Sequence, residues 1–296
     1  TPRQANTCRF KGVRMTASKT LPKSSGDDVR QFQLGMGTHD GTQYNFFHDD
    51  KVFSVRLIES LGLHHHSAWL YDDGIVEVVN GATPMEKTGD VCLNVENEQF
   101  KIRSDEETGS MQVLSDKLEL IFQVDFTTPL TYNWGTPLGA AVIHQPLIHA
   151  NVTYQGNSFE CIGYCKRFWF YEETDFFAWR FIEGEVGGGR YMVWTADGNF
   201  GGDYNKYDYF KVANPNGNII QAGDNDSYHR DDGAYATIDG MDYQVTIEGL
   251  GTWSTVVRGD ETLLKLRQRF CRMKVKHAGT VEEGYAINET GVGAIR

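Results

Sequence analysis

Long apolar runs are missing from this chain of 296 residues. No stretch approaches the roughly 20 apolar residues that a membrane-spanning helix needs, so no membrane role is expected. Cysteine is scarce, with five residues, Cys8, Cys92, Cys161, Cys165 and Cys271, and no CxxC spacing. That excludes a zinc ribbon or a thioredoxin-type motif, and the odd count leaves at least one thiol free or paired between chains. On a strand, Cys161 and Cys165 would share a face but lie about 13 Å apart at ~3.3 Å per residue, too far to bridge. Cys8 with Cys92 is one candidate long-range disulfide. Positive charge is also short, with 28 Lys and Arg against 40 Asp and Glu, a net charge of -12. Such a chain repels phosphate backbones, so nucleic acid is not an expected partner.

Several catalytic signatures are absent too. No GxSxG occurs, which disfavours a nucleophile-elbow hydrolase. Gly35-Met36-Gly37 and Gly187-Gly188-Gly189 are not followed by a helical pattern, so neither reads as a phosphate cradle. There is no HExxH. In His64-His65-His66 only the first and third could face one point on a strand, so neither a metal nor a cofactor is expected. His66 and Trp69 read instead as pocket residues. The start, Thr1-Pro2-Arg3-Gln4, carries no Met, and a removed signal peptide is the expected reason. With sequons at Asn151, Asn225 and Asn288, the expectation is a secreted glycoprotein.

What the chain does have is aromatic residues (17 Phe, 14 Tyr, 6 Trp), 32 Gly and strict alternation. Aromatic and β-branched side chains suit a pleated surface, and Gly supplies turns with positive φ. Leu118, Leu120, Phe122, Val124 and Phe126 alternate with polar residues, as a half-buried strand does. Ile75 to Val79 is another strand, entered through Asp72-Asp73-Gly74 and closed by Asn80-Gly81. Hairpins are expected around Gln155-Gly156, Gly187-Gly188-Gly189 and Asp239-Gly240. The single helix candidate is Glu261 to Arg269, which could equally lead into a strand. Turn signals about every ten residues predict an all-β protein of barrel or sandwich type. A Pro/Gly-marked stretch between Thr127 and Gly139 suggests two β-rich units, 1–135 and 136–296.

Four of the six Trp fall between Tyr132 and Trp194, with Trp134, His144, His149, Tyr164, Lys166, Arg167, Trp169, Tyr171, Trp179 and Arg180. On a strand Tyr164, Lys166 and Phe168 share one face, and Cys165, Arg167 and Trp169 the other. A guanidinium beside an indole and a phenol suits a planar, electron-rich ligand. His144 could serve as acid or base near neutral pH. Regular alternation would put His149 on the opposite face, and Pro146 between them suggests an edge or a bend.

The block His144-Gln145-Pro146-Leu147, Tyr154-Gln155-Gly156 and Gly163-Tyr164-Cys165-Lys166-Arg167-Phe168-Trp169 resembles the calycin-type carotenoid-hydratase superfamily over about residues 130–200. The resemblance implies two lipocalin-like β-barrel units. That superfamily also holds fungal Diels–Alderases, and a secreted member most resembles those joining a tropolone-derived quinone methide to a humulene-type sesquiterpene. Lys166-Arg167 stands where hydratase relatives carry an Asp-His or Asp-Arg element, which argues against their usual chemistry. Under the resemblance, His144, Tyr164 and Arg167 are the catalytic candidates. Tyr132, Trp134, Phe168, Trp169, Trp179, His66 and Trp69 bind small hydrophobic or aromatic substrates. A cycloaddition of this kind needs a near-attack pose and a donor to the heterodiene carbonyl, not a nucleophile or a metal. The readings kept open beside it are a secreted polysaccharide lyase or glycan-binding β-sandwich and a lipocalin-like carrier. A homodimer also stays open.

Overall fold

The computed structural model describes residues 39–60, 63–84, 95–96, 100–105, 110–115, 119–125, 132–135, 140–170, 174–200, 206–216, 218–222, 226–258 and 262–295. Every regular element among them is a strand. The first eleven are β1 (His39–His48), β2 (Lys51–Ser60), β3 (Leu63–Tyr71), β4 (Ile75–Pro84), β5 (Val95–Glu96), β6 (Phe100–Asp105), β7 (Ser110–Ser115), β8 (Glu119–Asp125), β9 (Tyr132–Gly135), β10 (Ala140–Tyr154) and β11 (Asn157–Phe170). The others are β12 (Thr174–Val186), β13 (Tyr191–Phe200), β14 (Lys206–Ala213), β15 (Ile219–Gln221), β16 (Ser227–Arg230), β17 (Gly233–Ile238), β18 (Met241–Arg258), β19 (Thr262–His277) and β20 (Thr280–Ile295).

They form two antiparallel sheets. The first runs β4-β3-β2-β1-β11-β10-β8-β7-β6-β5, with β9 beside β10, and eight of its strands curl into a nearly closed barrel. The second runs β15-β14-β13-β12-β20-β19-β18-β17-β16 as a curled half-barrel. The all-β, two-unit architecture expected from the sequence is therefore present. The chain passes from one sheet to the other between Phe170 and Thr174. The expected division near residue 135 instead lies between β9 and β10, which pair with each other inside the first sheet.

Turn chemistry explains the hairpins. Gln155-Gly156, Asp239-Gly240 and Ala278-Gly279 have positive φ at both residues (50° and 76°, 52° and 78°, 48° and 78°), the type I′ pattern that matches strand twist. Asn80-Gly81 does not close its strand, because β4 continues to Pro84. From Thr262 to Arg269 the candidate helix is instead part of β19, and Glu261 lies outside the described residues. There Leu264, Leu266, Gln268 and Phe270 are buried while Lys265, Arg267 and Arg269 face outward or half outward. Its good helix formers lose to a period of two that feeds a core.

Three apolar clusters follow from the alternation. Phe46, Phe53, Val55, Leu70, Phe122 and Val152 fill the first barrel. Ile182, Val193, Phe210, Ala236, Val245 and Met273 fill the half-barrel. Phe47, Trp69, Tyr164, Phe181, Trp253 and Phe270 pack in the layer between the sheets. One glycine sets the spacing of β1 against β11. A Cβ at Gly163 would lie 1.9 Å from the Asn45 carbonyl oxygen and 2.8 Å from Phe46 Cα, both backbone atoms. Gly163→Ala is expected to cost about 1–3 kcal/mol through forced backbone movement, read from thermal denaturation.

The three described cysteines, Cys161, Cys165 and Cys271, are buried free thiols. Burial pushes Cys161 up to about 12 and Cys271 to about 11, so neither is a ready nucleophile. Cys8 and Cys92 lie outside the described residues.

Candidate active site between the two sheets

Polar and charged side chains interrupt the apolar layer between the sheets, and they do so on strands that alternate regularly. On β20, Glu289 follows Ile287 on the same face; on β12, Glu183 follows Phe181. On β2, Arg56 occupies the face begun by Val52. All three charged groups are buried. Such burial is costly unless each charge finds partners.

Glu289 finds four donors. Its Oε2 accepts from Arg56 Nη1 at 2.8 Å, Gln43 Nε2 at 3.0 Å and Gln268 Nε2 at 2.6 Å, while Oε1 accepts from Trp179 Nε1 at 2.8 Å. Gln43 and Arg56 belong to the first sheet; Gln268 and Trp179 belong to the second. The carboxylate thus ties the two sheets together. Burial alone would raise its pKa, but Arg56, Lys166 and the two second-sheet donors outweigh it and hold Glu289 below the usual carboxylate value. Trp179 can reach in because residue 291 is glycine: a Cβ there would lie 2.2 Å from the indole Cζ2. Behind Gln268, Trp69 donates its Nε1 to the amide oxygen at 2.7 Å and stacks on Trp253, ring centroids 6.1 Å apart.

A second cluster surrounds Glu183. His144 and Glu183 are both 0% exposed, and the imidazole Nε2 hydrogen-bonds to Glu183 Oε1. Burial outweighs the nearby carboxylate and lowers the His144 pKa, so the neutral ring donates from Nε2 and keeps its lone pair on Nδ1. The ring leans on Trp194 with centroids 3.8 Å apart and meets Tyr164 edge-on at 6.0 Å. Tyr164 is fully buried, and desolvation raises its pKa well above the ordinary phenol value, with Glu183 and Glu289 adding to the effect. It therefore stays protonated and can only donate or accept as a neutral phenol. Among the described residues His144 Nδ1 has no hydrogen-bond partner, and the Tyr164 hydroxyl faces the Asn45 side chain, whose hydrogen bonding works against the upward shift.

Two lysines complete the cluster. Lys166 Nζ lies 3.1 Å from the Phe181 ring centroid and 3.9 Å from Glu183 Oε2. Desolvation brings it down to about 8 against the pull of Glu289 and Glu183. Lys211 Nζ lies 4.8 Å from the Trp194 centroid and 4.5 Å from that of Tyr209, and desolvation brings it down to about 7. The layer thus offers a base, a neutral phenol and two cations able to give up a proton near neutrality, walled by indoles and phenyl rings. That is acid–base machinery in a low-dielectric setting.

A backbone irregularity positions His144. Leu147 is an extra residue between Pro146 and Ile148, with φ 64°, so Pro146 pairs with Tyr164 and Ile148 with Gly163. The bulge shifts the alternation, and His149 opposite Ile162 lands on the same side of the sheet as His144 opposite Lys166. The two histidines do not cooperate, because His144 is buried and His149 is exposed.

The layer brings together His144, Tyr164, Trp179 and Trp69 from the sequence-based candidates. His66 is buried on the barrel side, the face of Ala68 and Leu70, away from the layer. Arg167, Phe168 and Trp169 lie on β11, paired with Ile143, Val142 and Ala141; Tyr132 and Trp134 lie on β9, opposite His144 and Val142. The side chains of these five are outside the described residues. Asn151 is exposed on β10, and Asn225 lies outside the described residues. Asn288 is 2% exposed and donates its Nδ2 to the Asp231 carbonyl at 3.2 Å, so the folded chain has no room for a glycan there. Reasoning from sequence missed Glu183, Glu289, Arg56, Gln43, Gln268 and Lys211. A charge on the apolar face of an alternating strand was the signal that could have found them.

At the edge of the same layer, His65 is 3% exposed and hydrogen-bonds through Nε2 to Asn80 Oδ1 at 3.2 Å. Burial brings its pKa down to about 4, against the Asn80 bond and with help from Arg56. An unfolded chain protonates His65 from its ordinary 6.5 downward, whereas the folded chain resists until about 4. Stability is therefore present above pH 6.5 and lost as pH falls towards 4, by about 3 kcal/mol from this group. His65→Gln is expected to flatten that loss. Urea midpoints at pH 7 and pH 4.5 check it, and an unchanged slope would show that His65 does not contribute.

No family model and no curated protein matches the chain. Solved structures do. Kievitone hydratase from Nectria haematococca superposes with TM-score 0.60 at 12% identity, covering 92% of this chain and 95% of that one. A candidate AttH from Nitrosomonas europaea gives TM-score 0.55 at 10% identity over 92% and 98%. CghA, solved with Sch210972, gives 0.52 at 9% identity over 88% and 89%. At these identities the likeness establishes a shared two-unit β fold.

Proposed function

We propose that the chain is an enzyme of the hydratase/cyclase type. Its reaction is dehydration of a hydroxyalkyl tropolone to a quinone methide and hetero-Diels–Alder addition of that heterodiene to a humulene-type sesquiterpene. The observation that carries this reading is the buried His144–Glu183 pair, packed on Trp194 and Tyr164. Forming a quinone methide needs a base for the ring hydroxyl and an acid for the leaving oxygen. The cycloaddition then needs an apolar enclosure that holds two partners in register and a donor to the carbonyl. His144 Nδ1 serves as the base, the Tyr164 hydroxyl as the carbonyl donor, and Trp179, Trp194 and Phe181 as walls. Arg167 is the further donor in this assignment. The fold likeness to kievitone hydratase and CghA supports an enzyme of this kind. In this reading the protein is secreted, with Asn151 on the exposed face of β10 as its glycan site.

The burial of His144, Glu183 and Tyr164 speaks for small apolar substrates over oligosaccharides, which would need an open groove. A tryptophan-fluorescence titration with two ligand panels tests this. Tropolones and humulene-type terpenes are expected to quench, since Trp179 and Trp194 line the layer. Quenching by acidic or neutral oligosaccharides alone would overturn the reading.

A further inference from the structure

Glu183 uses its two oxygens unequally. Oε1 is engaged by His144, whereas Oε2 has no hydrogen-bond partner among the described residues. Among the described residues the cation paired with Oε2 is Lys166, its Nζ at 3.9 Å, beyond hydrogen-bonding distance. Lys166 is only 7% exposed, so its ammonium is largely desolvated. Its charge is met by the Phe181 ring at 3.1 Å and by the field of two carboxylates. A donor and an acceptor 3.9 Å apart are close enough for one oxygen to hydrogen-bond to both. An oxygen about 2.8 Å from each would accept from the ammonium and donate to the carboxylate. Only a group that does both fits, namely a hydroxyl or a water. A carbonyl could not donate to Oε2, and an ether could not either.

We propose that the gap between Lys166 Nζ and Glu183 Oε2 is a seat for one substrate hydroxyl, and that Lys166 is the acid that protonates this hydroxyl as it leaves. The inference rests on the dehydrating reading above and names the group that reading left unassigned. In the step, the C–O bond breaks with its electron pair on oxygen, and the Lys166 proton completes a water molecule. The ring hydroxyl loses its proton to His144 Nδ1, and the freed pair forms the carbonyl and exocyclic methylene of the quinone methide. One proton has moved onto His144 and one has left Lys166. Glu183, hydrogen-bonded to the first and facing the second, lies on the path that returns it. A lysine brought to about 8 is charged at neutral pH yet gives up its proton readily.

Two measurements test the seat. Fluorescence titrations compare hydroxymethyl-tropolone with methyl-tropolone on wild type, Lys166→Met and Lys166→Arg, with circular dichroism to confirm folding. Wild type is expected to prefer the alcohol by about tenfold or more, the scale of a charge-assisted hydrogen bond. Lys166→Met is expected to bind both alike, at the wild-type affinity for the methyl analogue. Lys166→Arg should retain part of the preference. Equal binding by wild type, or a preference that survives in Lys166→Met, overturns the seat and leaves the tropolone reading standing. Diffraction from ligand-free wild-type crystals is the second measurement. One oxygen within about 3.2 Å of both Nζ and Oε2 supports the seat even if no tropolone binds, the outcome that would sink the substrate reading alone. Direct contact of Nζ with Oε2 and no oxygen between them overturns it.

Discussion

Glu289→Ala is expected to destabilise the protein by about 3–5 kcal/mol, the cost of breaking a buried ion pair by removing one partner. The carboxylate is the single acceptor shared by Arg56, Gln43, Gln268 and Trp179, drawn from both sheets. Removing it takes from Arg56, 2% exposed, the 2.8 Å ion pair that offsets much of the cost of its burial. It also removes the acceptor of three further donors, Gln43, Gln268 and Trp179. Glu289→Gln keeps an acceptor oxygen but brings an amide where four donors already converge, so a large loss is expected there too. The double variant Arg56→Met/Glu289→Met removes both charges, and its loss should be clearly smaller than that of Glu289→Ala. Urea denaturation with both midpoint and slope measured gives these values. The linkage has a definite sign. The folded pKa of Glu289 lies below the ordinary 4.5, so its contribution is present above pH 4.5 and is lost as pH falls below that.

Glu183→Gln is expected to leave the fold nearly intact and to lower turnover by about 10²- to 10⁴-fold, the range that a lost acid–base group typically costs. Glutamine can still accept from His144 Nε2, so the ring stays oriented against Trp194. What disappears is the negative charge that stabilises an imidazolium once Nδ1 has taken a proton, and the field that keeps Lys166 charged. The rate constant for chemistry should fall much more than ligand affinity. Turnover lost together with cooperative unfolding would assign Glu183 a purely structural role instead.

The fold was legible wherever alternation met turn chemistry. Gln155-Gly156 and Asp239-Gly240 announced their hairpins because only residues tolerant of positive φ fit such turns. Leu120, Phe122 and Val124 announced β8 because every second side chain enters one core. Two local readings failed for a common reason. Leu263 to Leu266 look helical in isolation, and Asn80-Gly81 looks like a stop, but long-range pairing with β18 and β20, and with β3, decides both. Half of the site was visible as an aromatic and basic segment containing His144 and Tyr164. Its acidic half was not: Glu183 falls inside that segment but on a strand of the second sheet, Glu289 lies far along the chain, and both meet the first sheet only through folding. The His144 face could not be read either, since it depends on the bulge at Leu147.

The most direct test of the account is a product assay. Purified protein would be incubated with hydroxymethyl-tropolone and a humulene-type sesquiterpene, and the adduct followed by chromatography and mass spectrometry for wild type, Glu183→Gln and a protein-free control. An adduct with the summed mass less one water is expected, formed as one stereoisomer by wild type and nearly absent from the variant. An adduct that forms equally fast without protein, or equally fast with folded Glu183→Gln, would contradict it.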